Sequence, residues 1–193
     1  SPRLGLVSPL RFIPLIEEIG LECRLGQWVI NTACRQIADW ISSGMTPIQV
    51  SVNISPDHFR SSDLVPDVID SLSRNGLSPN LLELEILESS AIGETEAIHD
   101  ALRRIRGLGV GVALDDFGTG YSSLVYLTKL PATTLKIDRA FIVDLPDNGH
   151  QRAIVEQIIS LARVLDFKVV AEGVETKTQA DILVKMGCDV FQG

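Results

Sequence analysis

The chain has 193 residues, 45% hydrophobic and 22% charged, enough to cover a sizeable core and too apolar for a disordered segment. Its 17 lysines and arginines against 25 aspartates and glutamates give a formal charge of −8, which argues against adhesion to polyanions or anionic membrane through basic surface. No apolar run approaches the roughly 20 residues of a membrane helix, no signal-peptide pattern opens the chain, and Cys23, Cys34 and Cys188 lack metal-ligand spacing, as in a reduced, cytoplasmic setting.

Ser8-Pro9 opens the first predicted helix, in which Leu10, Phe12, Ile13, Ile16 and Ile19 recur at helical spacing. A second helix is predicted over 26–43, with Trp28, Val29, Ala33, Ile37, Trp40 and Ile41 inward and Gly44 as its stop. Strands over 48–54, 81–87, 110–114, 133–137, 168–171 and 189–191 then alternate with helices near 63–74, 94–106, 121–129, 150–164 and 177–186. Gly76, Gly107 and Gly187 punctuate helix ends. Repeated βα units with short connections imply a parallel sheet covered by helices. No composition break divides the chain, so 1–193 reads as one domain.

Each strand closes on a polar residue: Asn53, Glu85, Asp115 with Asp116, Lys136, Glu172 and Gln192, at intervals of 20 to 36 residues. In a βα barrel the C-terminal strand ends converge on one face, where reactive groups collect; a doubly wound sheet would spread them along a line. The barrel accounts better for six polar tips. A complete barrel has eight strands and typically about 250 residues. The expected architecture is therefore an α/β, modified TIM-type (β/α)8 barrel lacking its first two strands and its last helix.

Glu85, Asp115, Asp116 and Glu172 would crowd four carboxylates into one mouth with a single lysine, Lys136. At 4 Å and an effective dielectric near 20, each like-charged pair costs about 4 kcal/mol, so the cluster needs protons or cations. Bound divalent cations also reverse the local field, so the acidic balance leaves a phosphate substrate open. Oxygen donors, Asn53 included, suit Mg²⁺ or Mn²⁺ more than zinc, and His58, His99 and His150 show no zinc spacing. Two such ions sharing a carboxylate activate a water and stabilise both oxygens of a phosphoryl displacement. Taken singly, each element has a plainer reading: Asp116-Phe117-Gly118 as a turn, Ser55 as a helix cap, Ala171-Glu172-Gly173 as an exposed loop. Their shared spacing outweighs those readings. Gly118-Thr119-Gly120-Tyr121-Ser122-Ser123, a weak phosphate-loop signal alone, reads beside the aspartates as a lid or anchor.

At these residues the sequence resembles the EAL family of bacterial cyclic di-GMP phosphodiesterases. The resemblance runs through Leu6-Val7-Ser8-Pro9, Phe12-Ile13-Pro14-Leu15-Ile16-Glu17-Glu18, Val52-Asn53-Ile54-Ser55 and Leu84-Glu85-Ile86-Leu87-Glu88-Ser89. It continues through Asp115-Asp116-Phe117-Gly118-Thr119-Gly120-Tyr121-Ser122-Ser123, Leu135-Lys136-Ile137-Asp138, Ala171-Glu172-Gly173-Val174-Glu175 and Gln192-Gly193. It implies hydrolysis of cyclic di-GMP to linear pGpG with two Mg²⁺ or Mn²⁺ ions. Asn53, Glu85 and Asp115 would hold one ion, and Asp115, Asp116 and Glu172 the other. Lys136 would position the water or a phosphate oxygen, with Glu172 the candidate base. Glu88 would tether the 115–123 loop, including Gly118, Thr119 and Gly120, while Glu175 and Gln192 support the ligands from behind.

The Glu-Ala-Leu motif itself is absent, as expected if the chain begins just beyond the strand that carries it, and Leu87 stands where the family usually has threonine. The resemblance further implies a larger bacterial signalling protein with sensory or GGDEF-type domains upstream, cytoplasmic or tethered to the membrane through them, and pairing between barrels. The rival expectation is a receptor that binds cyclic di-GMP without cleaving it.

Overall fold

Six strands pair in parallel in chain order: β1 (Val50–Asn53), β2 (Leu82–Leu87), β3 (Gly111–Phe117), β4 (Thr134–Ile137), β5 (Lys168–Glu172) and β6 (Val190–Gln192). They belong to a computed structural model that describes residues 5–91, 96–118 and 127–193. The helices are α1 (Pro9–Glu18), α2 (Glu22–Ser42), α3 (Pro56–Arg60), α4 (Leu64–Asn75), α5 (Glu88–Ala91), α6 (Glu96–Leu108), α7 (Gly149–Val164) and α8 (Lys177–Met186). Among the described residues β1 and β6 each pair with one neighbour only, so the sheet is a curled part of a barrel with two open edges.

The alternation Leu82-Glu83-Leu84-Glu85-Ile86 fixes which way β2 faces. Successive strand residues point to opposite sides, so the leucines and isoleucine meet the helix layer and both glutamates face the barrel axis. All five are buried. Leu84, Leu114, Leu135 and Val169 join Leu64, Val68, Leu102, Ile105 and Ile159 in one core. Each fully buried Leu, Ile or Val contributes about 1.5–3 kcal/mol relative to exposure. That apolar outer layer holds the polar inner layer in register.

Several expectations are corrected. Helix α2 begins at Glu22, and its buried stripe is Gly26, Ile30, Cys34 and Ile37. Trp28, half a turn from that stripe, is 62% exposed, and Ile41 is exposed as well. Gly107 lies inside α6; the left-handed glycine after it is Gly109, at φ +96°. The single-turn helices α3 and α5 are too short to leave a periodic signal. Of the helix expected over 121–129, residues 121–126 fall outside the described residues. Among those described, no helix is long and apolar enough to cross a membrane.

Candidate active site

The two adjacent aspartates sit at an irregularity in β3. Leu114 pairs with Leu135 and Phe117 with Ile137, so Asp115 and Asp116 together oppose the single residue Lys136. This two-against-one step is a β-bulge. Asp116 adopts φ +55°, a left-handed conformation that aspartate tolerates better than most residues. In a regular strand neighbouring side chains diverge. Here the bulge brings both carboxylates to one side, and oxygens of Asp115, Asp116 and Glu172 lie within 4.8 Å of one another.

Lys136 stands beside this trio. Its Nζ donates to Glu172 Oε1 at 2.6 Å, Glu85 Oε2 at 2.9 Å and Asp115 Oδ1 at 3.0 Å. One side chain on β4 thus reaches β2, β3 and β5, which requires the sheet to curl around it. Burial opposes the charge on Lys136, but hydrogen bonds to Glu172, Glu85 and Asp115 outweigh it and hold the ammonium above the ordinary lysine range. It is a fixed cation and not a base near neutral pH. Burial raises the Glu85 carboxyl despite Lys136, with Asp115 and Glu172 adding to the rise. The Asp116 carboxyl is raised too, by burial first, then by the charges of Asp115, Asp138 and Glu172 and a hydrogen bond with Asp138.

The remaining expected residues divide. Asn53 pairs in register with Glu85, and Gln192 with Glu172, so both flank the cluster at strand ends. Ser55 does cap α3, accepting from the His58 N–H at 3.2 Å, and leaves Asn53 at the end of β1. Buried Glu88 accepts the Gly118 N–H at 2.8 Å, fixing the first residue of the glycine loop. Thr119 and Gly120 lie outside the described residues. The Glu175 carboxylate is exposed and pairs with Arg139 at 2.7 Å.

The described residues hold an oxygen-rich donor set and a buried cation at one end of a parallel barrel sheet. That set fits hard divalent cations. The EAL domain family model matches residues 1–193, the whole chain. The chain belongs to the EAL domain family. It is 44% identical over 192 residues to the bifunctional diguanylate cyclase/cyclic di-GMP phosphodiesterase MucR of Pseudomonas aeruginosa, covering 100% of this chain and 28% of that protein. It is 43% identical over 193 residues to the oxygen sensor protein DosP of Escherichia coli, covering 24% of that protein. The solved structure of the PaMucR phosphodiesterase, c-di-GMP complex, superposes with a TM-score of 0.93 at 44% identity, covering 100% of this chain and 78% of that one. The chain therefore spans about a quarter of the length of these curated relatives.

In this EAL domain, sequence reasoning quoted Asp138 without giving it a role and missed Arg139, Phe141 and Gln179. Arg139 lies across Gly173, where a Cβ would come 2.3 Å from its Cγ, and Phe141 presses on Gly118, where a Cβ would come 2.8 Å from the ring. Both glycines have positive φ, +68° and +97°. Gln179 carried one readable signal, the Thr176-x-x-Gln179 capping box at the start of α8.

Proposed function

We infer that this EAL domain hydrolyses cyclic di-GMP to linear pGpG. One observation carries the reading: the bulge in β3 gathers Asp115 and Asp116 with Glu172 beside the buried Lys136 ammonium. The relatives support the substrate, since MucR is named a cyclic di-GMP phosphodiesterase and its structure is a c-di-GMP complex.

The Asp116 carboxyl is raised first by burial and then by the charges of Asp115, Asp138 and Glu172, the part that a divalent cation would offset. Asp115, Asp116 and Glu172 would hold one Mg²⁺ or Mn²⁺, and Asn53, Glu85 and Asp115 a second. Such cations supply an acidified water and offset charge on phosphoryl oxygens. The chain's own residues do the rest. Lys136, fixed by three carboxylates, donates to a phosphate oxygen or orients the attacking water. Glu172 accepts the proton that water gives up. Glu88 holds the Gly118 N–H, and so the exit of β3, in place.

The short coverage of the relatives supports a place for this domain inside a longer signalling protein. Its three cysteines are unpaired, which suits a reducing cytoplasm. The test is to incubate the longest natural chain carrying these residues with cyclic di-GMP and Mn²⁺ and separate the products by chromatography. Linear pGpG that disappears with chelator supports the enzyme. Dinucleotide that is bound but unchanged overturns it in favour of a receptor.

A further inference from the structure

The connections that follow β4 and β5 meet over one side chain. Gln179, the third residue of α8, is 5% exposed and uses its whole amide. Its Oε1 accepts the N–H groups of Glu175 at 2.9 Å and Thr176 at 2.8 Å, and the Thr176 hydroxyl at 3.0 Å. Its Nε2 donates to the carbonyls of Ile142 at 3.0 Å and Val143 at 3.3 Å, on the other connection. A capping box needs only the Thr176 N–H bond to Oε1 and the reciprocal bond from the Gln179 N–H to the Thr176 hydroxyl at 3.2 Å, and none of the bonds from Nε2. The second set reaches a segment remote in sequence and serves no helix end.

Both connections lead back to the acidic cluster. On one, Gly173 directly follows Glu172 and lies under Arg139, whose guanidinium pairs with Glu175. On the other, the turn Arg139–Phe141 precedes Ile142, and the Phe141 ring presses on Gly118, two residues after Asp116. The Gly118 N–H is held by Glu88 at 2.8 Å. The contacts form one chain from Gln179 through the 139–143 segment to Gly118 and Gly173.

We propose that Gln179 is a positioning residue for the reaction. By locking the 139–143 segment to the 173–176 segment, it sets the position of Glu172 relative to the Asp115–Asp116 bulge. This rests on the hydrolase reading for its effect on turnover, but not for its effect on Gly118. Each link is short-range packing or a hydrogen bond, and no link requires Gln179 to touch substrate.

Gln179→Glu isolates the claim. The carboxylate keeps an acceptor for Glu175 and Thr176, so the helix cap survives, while both bonds to Ile142 and Val143 become acceptor against acceptor. Amide exchange by NMR is read at Glu175, Thr176 and Gly118, and cyclic di-GMP turnover with Mn²⁺ is measured in the longest natural chain. Positioning predicts that Gly118 exchange rises about tenfold, the worth of one or two net hydrogen bonds. It also predicts that kcat falls by a similar factor while KM stays within about twofold. A Gly118 N–H and a kcat that both match wild type would overturn the proposal and leave Gln179 as a helix cap alone. If Gln179→Glu does not fold, Arg139→Ala, at an exposed side chain on the same path, is read at the same amide, and no change at Gly118 there also overturns it. Altered Gly118 exchange in the variant, with no turnover by the wild-type chain, would retain the coupling and reject the hydrolase reading instead.

Discussion

The Lys136 ammonium on β4 lies 2.6 Å from Oε1 of Glu172 on β5, and the same nitrogen holds Glu85 and Asp115. Three carboxylates from three other strands thus share one buried cation. Removing one partner of such a group leaves uncompensated buried charge, at a cost of about 3–5 kcal/mol. Lys136→Ala should therefore lower the melting temperature of the metal-free protein by several degrees, at roughly 2–4 °C per kcal/mol for a domain of this size. Calorimetry in chelator checks it; an unchanged melting temperature would show that the carboxylates do not depend on Lys136.

The pH dependence has a defined sign. Lys136 is raised above its ordinary 10.5, so its stabilisation is complete at neutral pH and is lost only as pH climbs through its folded value. Asp116 and Glu85 are raised from 3.8 and 4.5. Their protonated forms favour the fold below those ordinary values, and that contribution is lost as pH rises through the raised ones. A cation competing with those protons binds better at high pH. The rise in melting temperature caused by saturating Mn²⁺ should be larger at about pH 8 than at about pH 5. An equal rise at both would place metal binding elsewhere.

Gly118→Ala tests the exit of β3. At φ +97° a side chain is strained, and its Cβ would meet the Phe141 ring at 2.8 Å. The substitution should cost about 1–3 kcal/mol and break the Glu88 bond to the Gly118 N–H. Denaturant unfolding gives the first effect and turnover the second. Wild-type turnover in the folded variant would remove Glu88 and Gly118 from the mechanism.

Much of the fold and the site is legible in the sequence because two periodicities coincide in it. Leu82 to Ile86 alternates aliphatic and carboxylate residues, and that alternation puts Glu83 and Glu85 on one face of β2. The polar strand ends and their spacing locate the site. The bulge leaves no such trace, because it is a mismatch between β3 and β4 and exists only once those strands pair. Trp28 misleads because residue type signals burial less reliably than phase: the stripe Gly26-Ile30-Cys34-Ile37 leaves it on the far side. Gln179 announces its capping role through Thr176, whereas its bonds to Ile142 and Val143 depend on tertiary contact.

Gly26 shows the same dependence on tertiary approach. A Cβ there would lie 2.1 Å from Nδ1 of buried His58, whose Nε2 is 3.0 Å from Asp67. Gly26→Ala gains about 0.5–1 kcal/mol of helix propensity, yet should destabilise by about 1–3 kcal/mol by displacing His58. His58→Ala in the same chain should recover part of that loss, giving non-additivity of about 0.5–3 kcal/mol in denaturant unfolding. Strict additivity would show that the two residues do not share the space.

The most direct test of the central claim is Asp115→Asn in the longest natural chain, with Mn²⁺ titrated against cyclic di-GMP turnover. Asp115 touches Lys136 and belongs to the carboxylate trio, so the variant should lose turnover and the Mn²⁺ response together. Turnover that persists in Asp115→Asn with an unchanged Mn²⁺ response would contradict the bulge-built metal site and the mechanism drawn from it.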